Sequence, residues 1–190
     1  MLILASSSPR RRELLTQAGF EFTVIPADID ETRRPGEAPA AYVQRLALEK
    51  ALAIHAQHPE AIVLGADTTV VLTDADASTI LNKPANPADA EHMLRQLANR
   101  SHEVHTGIAV VGNGQQLSHI ETTRVFFSAI PEPDLAHYLS TGDSLDKAGA
   151  YGIQGYAARW IHRIEGDFFN VVGLPLAATV RLLGLAGHPA

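Results

Sequence analysis

The sequence predicts a mixed α/β domain, a central sheet with flanking helices, and three observations predict it. Strand-like and helix-like runs alternate along the chain. Hairpin signals interrupt that alternation, so the sheet cannot be wholly parallel. Neither an internal repeat nor a linker-like change of composition divides the 190 residues. At 46% hydrophobic and 19% charged, the chain can bury a sizeable core. A single domain over residues 1–190, arranged as two lobes around a cleft, is the expected organisation.

Leu2 to Ala5 reads as a buried strand, and Ser6-Ser-Ser-Pro-Arg leads into a helix with Leu14, Leu15 and Ala18 on one face, stopped by Gly19. Phe20 to Ile25 alternates like a second strand. Asp28 to Pro39 is a polar loop, and Ala40 to Ala56 is helical, with Leu46, Leu48, Ala51 and Leu52 on its apolar side. Ala61 to Leu64 is a strand that runs through Gly65-Ala-Asp-Thr and on from Val70 to Leu72. Thr73 to Thr79 is a polar turn, Asn82-Lys-Pro ends a short strand, and Pro87 opens a helix carrying Met93, Leu94 and Leu97. Val104 to Val111 and Gln116 to Ile130 flank Gly112-Asn-Gly, which supplies the positive φ of a tight hairpin. Pro133 to Leu139 is helical. Trp160 to Ile164 and Phe168 to Val172 read as a second hairpin about Glu165-Gly-Asp, and Leu176 to Leu185 as a closing helix.

Composition narrows the chemistry. There is no cysteine, which removes disulfides, thiolate nucleophiles and sulfur-built zinc sites. The apolar opening Met1-Leu-Ile-Leu-Ala is too short for a signal sequence, and no stretch approaches the ~20 apolar residues of a membrane span. A cytoplasmic protein with no membrane partner is expected. The net charge of −6 argues against long nucleic acids, which need an extended basic face. A concentrated basic pocket is compatible with it. The 15 basic residues are 12 arginines and only three lysines, Lys50, Lys83 and Lys147.

Three constellations can carry chemistry. Ser8 is a good N-cap and Pro9 suits the first helical position, so this junction points backbone N–H groups outward, a geometry that binds anions. Arg10, Arg11 and Arg12 sit at the positive end of that helix, disfavoured by about 0.3–1 kcal/mol each when exposed, and a bound phosphate would reverse the sign. Gly65-Ala-Asp67-Thr68-Thr follows an apolar strand, where a glycine lets the backbone bend and Asp67 enter a crevice, to activate water or hold a metal. The lysines are the third: compact point charges able to neutralise phosphate oxygens. Glu31, in Asp28-Ile-Asp-Glu, adds a loop carboxylate.

Other patterns lead elsewhere. His102-Glu-Val-His105 is not HExxH, and on a strand its histidines face opposite sides. Gly149 to Gly155 lacks the spacing of a phosphate-binding P-loop, and there is no G-x-S-x-G elbow. Asp74-Ala-Asp76 after a strand resembles the nucleophile motif of haloacid-dehalogenase-type phosphatases, which makes an aspartyl-phosphate phosphatase using Asp74 an alternative reading.

Taken in order, seven segments resemble the Maf family of nucleoside triphosphate pyrophosphatases. They are Leu4-Ala-Ser-Ser-Ser-Pro-Arg-Arg-Arg-Glu-Leu-Leu, the Glu31 loop, Arg45-Leu-Ala-Leu-Glu-Lys-Ala, Gly65-Ala-Asp-Thr, Leu81-Asn-Lys-Pro, Asp146-Lys-Ala-Gly-Ala-Tyr-Gly-Ile-Gln-Gly and Val172-Gly-Leu-Pro. The resemblance implies an elongated mixed sheet shared with inosine triphosphatase-like enzymes. It also implies hydrolysis of the α–β phosphoanhydride to a nucleoside monophosphate and pyrophosphate with a divalent cation, Mg²⁺ or Mn²⁺. Ala-Tyr-Gly-Ile-Gln-Gly is similar to the branch that cleaves dTTP and UTP, implying removal of non-canonical pyrimidine nucleotides; a non-catalytic regulator of cell division is the alternative a Maf resemblance leaves open. It implies Asp67 as proton acceptor, with Arg10, Thr68 and Gln154 setting substrate choice. On this expectation Asp67, Glu31, Lys50 and Lys83 are catalytic. Ser8, Arg10, Arg11, Thr68, Asp146, Lys147 and Gln154 bind the nucleotide, and Glu31 and Asp67 hold the metal. Trp160 and Phe168-Phe169 are core residues or the surface of a homodimer.

Overall fold

The computed structural model describes residues 1–73 and 78–188. Within the turn expected from Thr73 to Thr79, residues 74–77, and with them Asp74 and Asp76, lie outside the described residues. The strands are β1 (Leu2–Leu4), β2 (Thr23–Val24), β3 (Ile62–Thr73), β4 (Ser78–Leu81), β5 (Ser101–Gly112), β6 (Gln115–Phe127) and β7 (Ile161–Glu165). The helices are α1 (Pro9–Gln17), α2 (Pro39–His55), α3 (Pro87–Leu97), α4 (Glu132–Ser140), α5 (Phe168–Val172) and α6 (Leu176–Leu185). The sheet runs β2-β1-β3-β5-β6-β7, with β4 paired to β3. It is mixed, as expected: β1 is parallel to β2 and β3, while β3 with β4 and β6 with β7 are antiparallel.

The chain forms two compact units, Met1–Thr68 with Thr106–Glu121 and Phe169–Ala190, and Thr69–His105 with Thr122–Phe168. In the first, Ile3, Ala5, Ala47, Ala51, Ile54, Val63, Ala109 and Val111 form a buried cluster between β1, β3, β5 and α2. Small residues dominate it because α2 lies unusually close to the sheet. A Cβ on Gly65 would stand 2.1 Å from the Ala47 carbonyl oxygen, and one on Gly107 would stand 2.4 Å from that of Val43. Gly65 therefore admits a helix; it does not bend the strand, since β3 continues unbroken for 12 residues. The β5–β6 turn has Asn113 at φ 50° and Gly114 at φ 72°, the paired positive values a two-residue hairpin needs.

In the second unit, Met93, Leu94 and Leu97 of α3 and Tyr138 of α4 are buried, and the aromatic residues cluster. Phe127 and Tyr151 meet edge to face at 4.9 Å, and Tyr138 and Trp160 at 5.3 Å. Trp160 is thus core, whereas Phe168 of the Phe168-Phe169 pair is 39% exposed. His102 is also interior, its Nε2 2.7 Å from the Tyr151 hydroxyl, and burial lowers its pKa to about 3. It is a neutral core histidine.

The second hairpin is the main difference from expectation. β7 pairs with β6, Arg124 opposite Glu165 and Val125 opposite Ile164, and Phe168–Val172 is a short helix. Five residues, four of them apolar, are too few for periodicity to separate strand from helix. The long β6 already supplies a partner for β7. The strand expected over Phe20 to Ile25 is reduced to Thr23–Val24, since its neighbour among the described residues, β1, is three residues long.

Candidate active site

Close packing of α2 on β3 builds the centre of the first unit. Ala47 and Ala51 seat the helix on Gly65, and this brings Lys50 to Asp67, two residues further along the strand. Lys50 Nζ donates to Asp67 Oδ1 at 2.7 Å and lies 2.7 Å from Glu31 Oε1. The Lys50 and Asp67 side chains are only 10% and 13% exposed, whereas that of Glu31 is 56% exposed. Burial raises the Asp67 carboxyl above the ordinary aspartate range; Lys50 and Arg11 pull the other way but do not reverse it. A carboxylate so placed is a better proton acceptor than one in water.

The anion-binding junction expected before α1 forms as a capped helix. Ser8 is the N-cap, its hydroxyl accepts from the Arg11 amide at 3.4 Å, and Pro9 opens the helix. Arg10 is half-buried and Arg12 exposed in this first turn. Arg11 instead turns inward. Its Nε donates to the Gly173 carbonyl at 2.8 Å, Nη1 to the Ala66 carbonyl at 2.9 Å and to Ser6 Oγ at 3.2 Å, and Nη2 to Thr68 Oγ1 at 3.0 Å. Burial lowers its pKa, with Asp67 and Glu31 opposing the shift, and the guanidinium stays charged. Thr68 Oγ1 is also 2.9 Å from Thr106 Oγ1, whose hydroxyl donates to the Asn170 carbonyl at 3.1 Å. Arg11 and Thr68 thereby tie the residues on both sides of Asp67 to α1 and to the Asn170–Gly173 turn.

Sequence reasoning missed the residues that hold the Glu31 loop. Tyr42 Oη donates to the Glu31 carbonyl at 2.9 Å. Arg45 donates to both oxygens of Glu37 at 2.7 and 2.8 Å, to Glu49 at 2.9 Å and to the Thr32 carbonyl at 3.1 Å. Its guanidinium fork holds Glu37 well below the ordinary range, at about 2. The signals available at Arg45 were its place in the Arg45-Leu-Ala-Leu-Glu-Lys-Ala segment and its (i, i+4) spacing from Glu49 on α2.

The remaining expected residues lie in the second unit. Lys83 and Gln154 are exposed. The Gly149 amide donates to the Asn82 carbonyl at 3.3 Å, which joins the Asn-Lys-Pro loop to the Asp146–Gly155 segment, and Asn82 Oδ1 accepts from Thr69 at 3.0 Å. Lys147 Nζ is 2.6 Å from Asp146 Oδ1, 2.7 Å from Asp143 Oδ1 and 2.6 Å from the Asp143 carbonyl. Asp143 is a further residue that sequence reasoning missed.

Among the described residues, no group of three or more His, Asp or Glu side chains is placed to hold a metal ion. Glu31 and Asp67 are two carboxylates of the first unit that share Lys50. Nor is any helix among these residues long and apolar enough to cross a membrane.

Comparison with known proteins places these residues in a family. A protein from Koribacter versatilis named dTTP/UTP pyrophosphatase is 50% identical over 186 residues, covering 98% of this chain and 94% of its own. Proteins of the same name from Symbiobacterium thermophilum and Myxococcus xanthus are 50% and 49% identical, covering 99% and 100% of this chain and 95% and 94% of theirs. Among solved structures, a HAM1 protein from Coxiella burnetii is 20% identical with a TM-score of 0.46, over 83% of this chain and 89% of that one; this likeness is too slight to carry an argument. The Maf-like protein model matches residues 1–186, and the chain belongs to the Maf family.

Proposed function

We propose that this protein hydrolyses nucleoside triphosphates, dTTP and UTP in particular, at the α–β phosphoanhydride to give the nucleoside monophosphate and pyrophosphate. The observation that carries the proposal is the buried Asp67 with a raised pKa, held by Lys50 at 2.7 Å beside Glu31. It occurs in a chain half identical to relatives named for this reaction.

In the proposed reaction Asp67 orients a water and accepts its proton as the water oxygen bonds to the α-phosphorus. The bond from that phosphorus to the bridging oxygen breaks, and pyrophosphate leaves with its electron pair. Lys50 keeps the Asp67 carboxylate aimed and offsets the repulsion between it and Glu31. Arg10 and the Ser8-capped start of α1 supply positive charge for phosphate oxygens, and Lys83 provides a further exposed cation. Glu31 and Asp67 fit a divalent cation of the Mg²⁺ type, which takes one or two carboxylates and completes its shell with phosphate and water. Mn²⁺ is the alternative. Such an ion, when bound, supplies Lewis-acid polarisation of the phosphate and neutralises developing charge. Gln154 reads the base: its carbonyl accepts from N3–H and its amide donates to O4, the edge thymine and uracil share.

The test is a panel of common and methylated nucleoside triphosphates, assayed for products with and without Mg²⁺. Pyrophosphate and monophosphate are expected, fastest from dTTP and UTP and dependent on the metal. Release of single phosphate would overturn the reaction class and favour the aspartyl-phosphate chemistry at Asp74.

A further inference from the structure

A lysine in a segment that resembles a nucleotide-binding motif is ordinarily read as a phosphate ligand. Lys147 is built differently. An ammonium group has three N–H donors, and the three contacts of Lys147 Nζ, to Asp146 Oδ1, Asp143 Oδ1 and the Asp143 carbonyl, occupy all of them at 2.6–2.7 Å. Two carboxylates surround one positive charge, so the cluster repels an anion. The side chain is only 12% exposed.

The same side chain supports the segment that carries Gln154. A Cβ on Gly152 would stand 2.8 Å from Lys147 Cε and 3.0 Å from Cδ, so the lysine stem lies directly against the backbone there. A Cβ on Gly155 would stand 3.3 Å from Asp143 Oδ2, the oxygen not used by the ammonium. Gln154 thus lies between two glycines that abut the two halves of one ion pair. On the N-terminal side, Gly149 and Ala150 both have positive φ, 67° and 60°. For alanine that conformation is strained and persists only where surroundings impose it. The Ala150 amide donates to the Lys147 carbonyl at 3.0 Å, and the Gly155 amide to the Gly152 carbonyl at 3.1 Å.

We infer that Lys147, with Asp143, is a positioning residue: the pair clamps residues 149–155 and so fixes how Gln154 meets the base, setting pyrimidine selectivity. The inference rests on the proposed role of Gln154. A primary amide presents its oxygen and NH₂ in one order to thymine or uracil, and in the reverse order it matches cytosine. A segment held in one place limits the positions from which the Gln154 side chain can reach the base; a loosened one lets it meet either edge.

The test compares Lys147→Met and Asp143→Asn with the wild-type protein, each confirmed folded by circular dichroism, using kcat and KM for dTTP, UTP and dCTP. Both variants are expected to lose selectivity for dTTP over dCTP by about tenfold, chiefly through KM for dTTP. Combined, they should lose little more than either alone, because they break one pair. A phosphate-binding lysine predicts otherwise: Lys147→Met would weaken all three nucleotides equally, and Asp143→Asn would free the ammonium and tighten them all. Either outcome overturns the inference. Amide hydrogen exchange of residues 149–155 reads the clamp without turnover. Faster exchange there in both variants is expected, and unchanged exchange overturns the clamp. Wild-type protein that releases no pyrophosphate, or does not prefer dTTP, would sink the functional proposal, while the exchange data would still decide the clamp.

Discussion

Replacing Asp67 by asparagine is expected to lower kcat for pyrophosphate release from dTTP by about 10²–10⁴-fold, the usual contribution of a positioned general base. KM should change little. Asparagine keeps the shape and can still accept from Lys50, so the thermal transition should stay close to that of the wild type. Retention of most turnover at saturating Mg²⁺ would remove Asp67 from the chemistry. The wild-type pH profile carries the same information. Because burial raises the Asp67 carboxyl, the acid limb of kcat/KM should lie above the ordinary aspartate range, with activity rising as pH increases through it.

Lys50→Met should be damaging in both activity and stability. It removes the ammonium from a nearly buried carboxylate and leaves Glu31 and Asp67 facing each other. Breaking a buried pair destabilises by about 3–5 kcal/mol, and the lower end applies here because Arg11 remains nearby and Asp67 can take up a proton. Turnover near neutral pH should fall by at least about a hundredfold. The sign of the pH dependence follows from linkage. Loss of Lys50 raises the folded pKa of Asp67 further above its unfolded value. Between those two values the folded state binds more protons than the unfolded one, so the stability of the variant falls as pH rises through that window. Denaturant unfolding at a series of pH values should therefore show the variant nearest to wild type in acid and furthest above the raised pKa. A variant equally destabilised at every pH would mean that the pair is a packing contact only.

Much of this molecule is legible in its sequence, and the exceptions share a cause. Helix α1 could be bounded from Ser8, Pro9 and Gly19 because capping and chain reversal depend on local chemistry. The β5–β6 hairpin could be read from Asn113-Gly114 for the same reason. Phe168–Val172 could not, since its five residues carry no period and its helical state is settled by what surrounds it. At the site, Asp67, Glu31 and Lys50 could each be chosen for their chemistry. Their convergence could not be read, because 17 residues separate Lys50 from Asp67 and their contact depends on how closely α2 approaches Gly65 and Gly107. Lys147 shows the limit most clearly. Its residue type pointed to phosphate, and only the placement of Asp143 and Asp146 about its three donors shows where that charge is used.

In the proposed reaction a water aligned by Asp67 attacks the α-phosphorus of the nucleotide. Hydrolysis of dTTP in ¹⁸O-labelled water, followed by mass spectrometry of both products, tests it directly. One ¹⁸O atom is expected in the monophosphate and none in pyrophosphate. Label in pyrophosphate would place the attack on the β-phosphorus and contradict it.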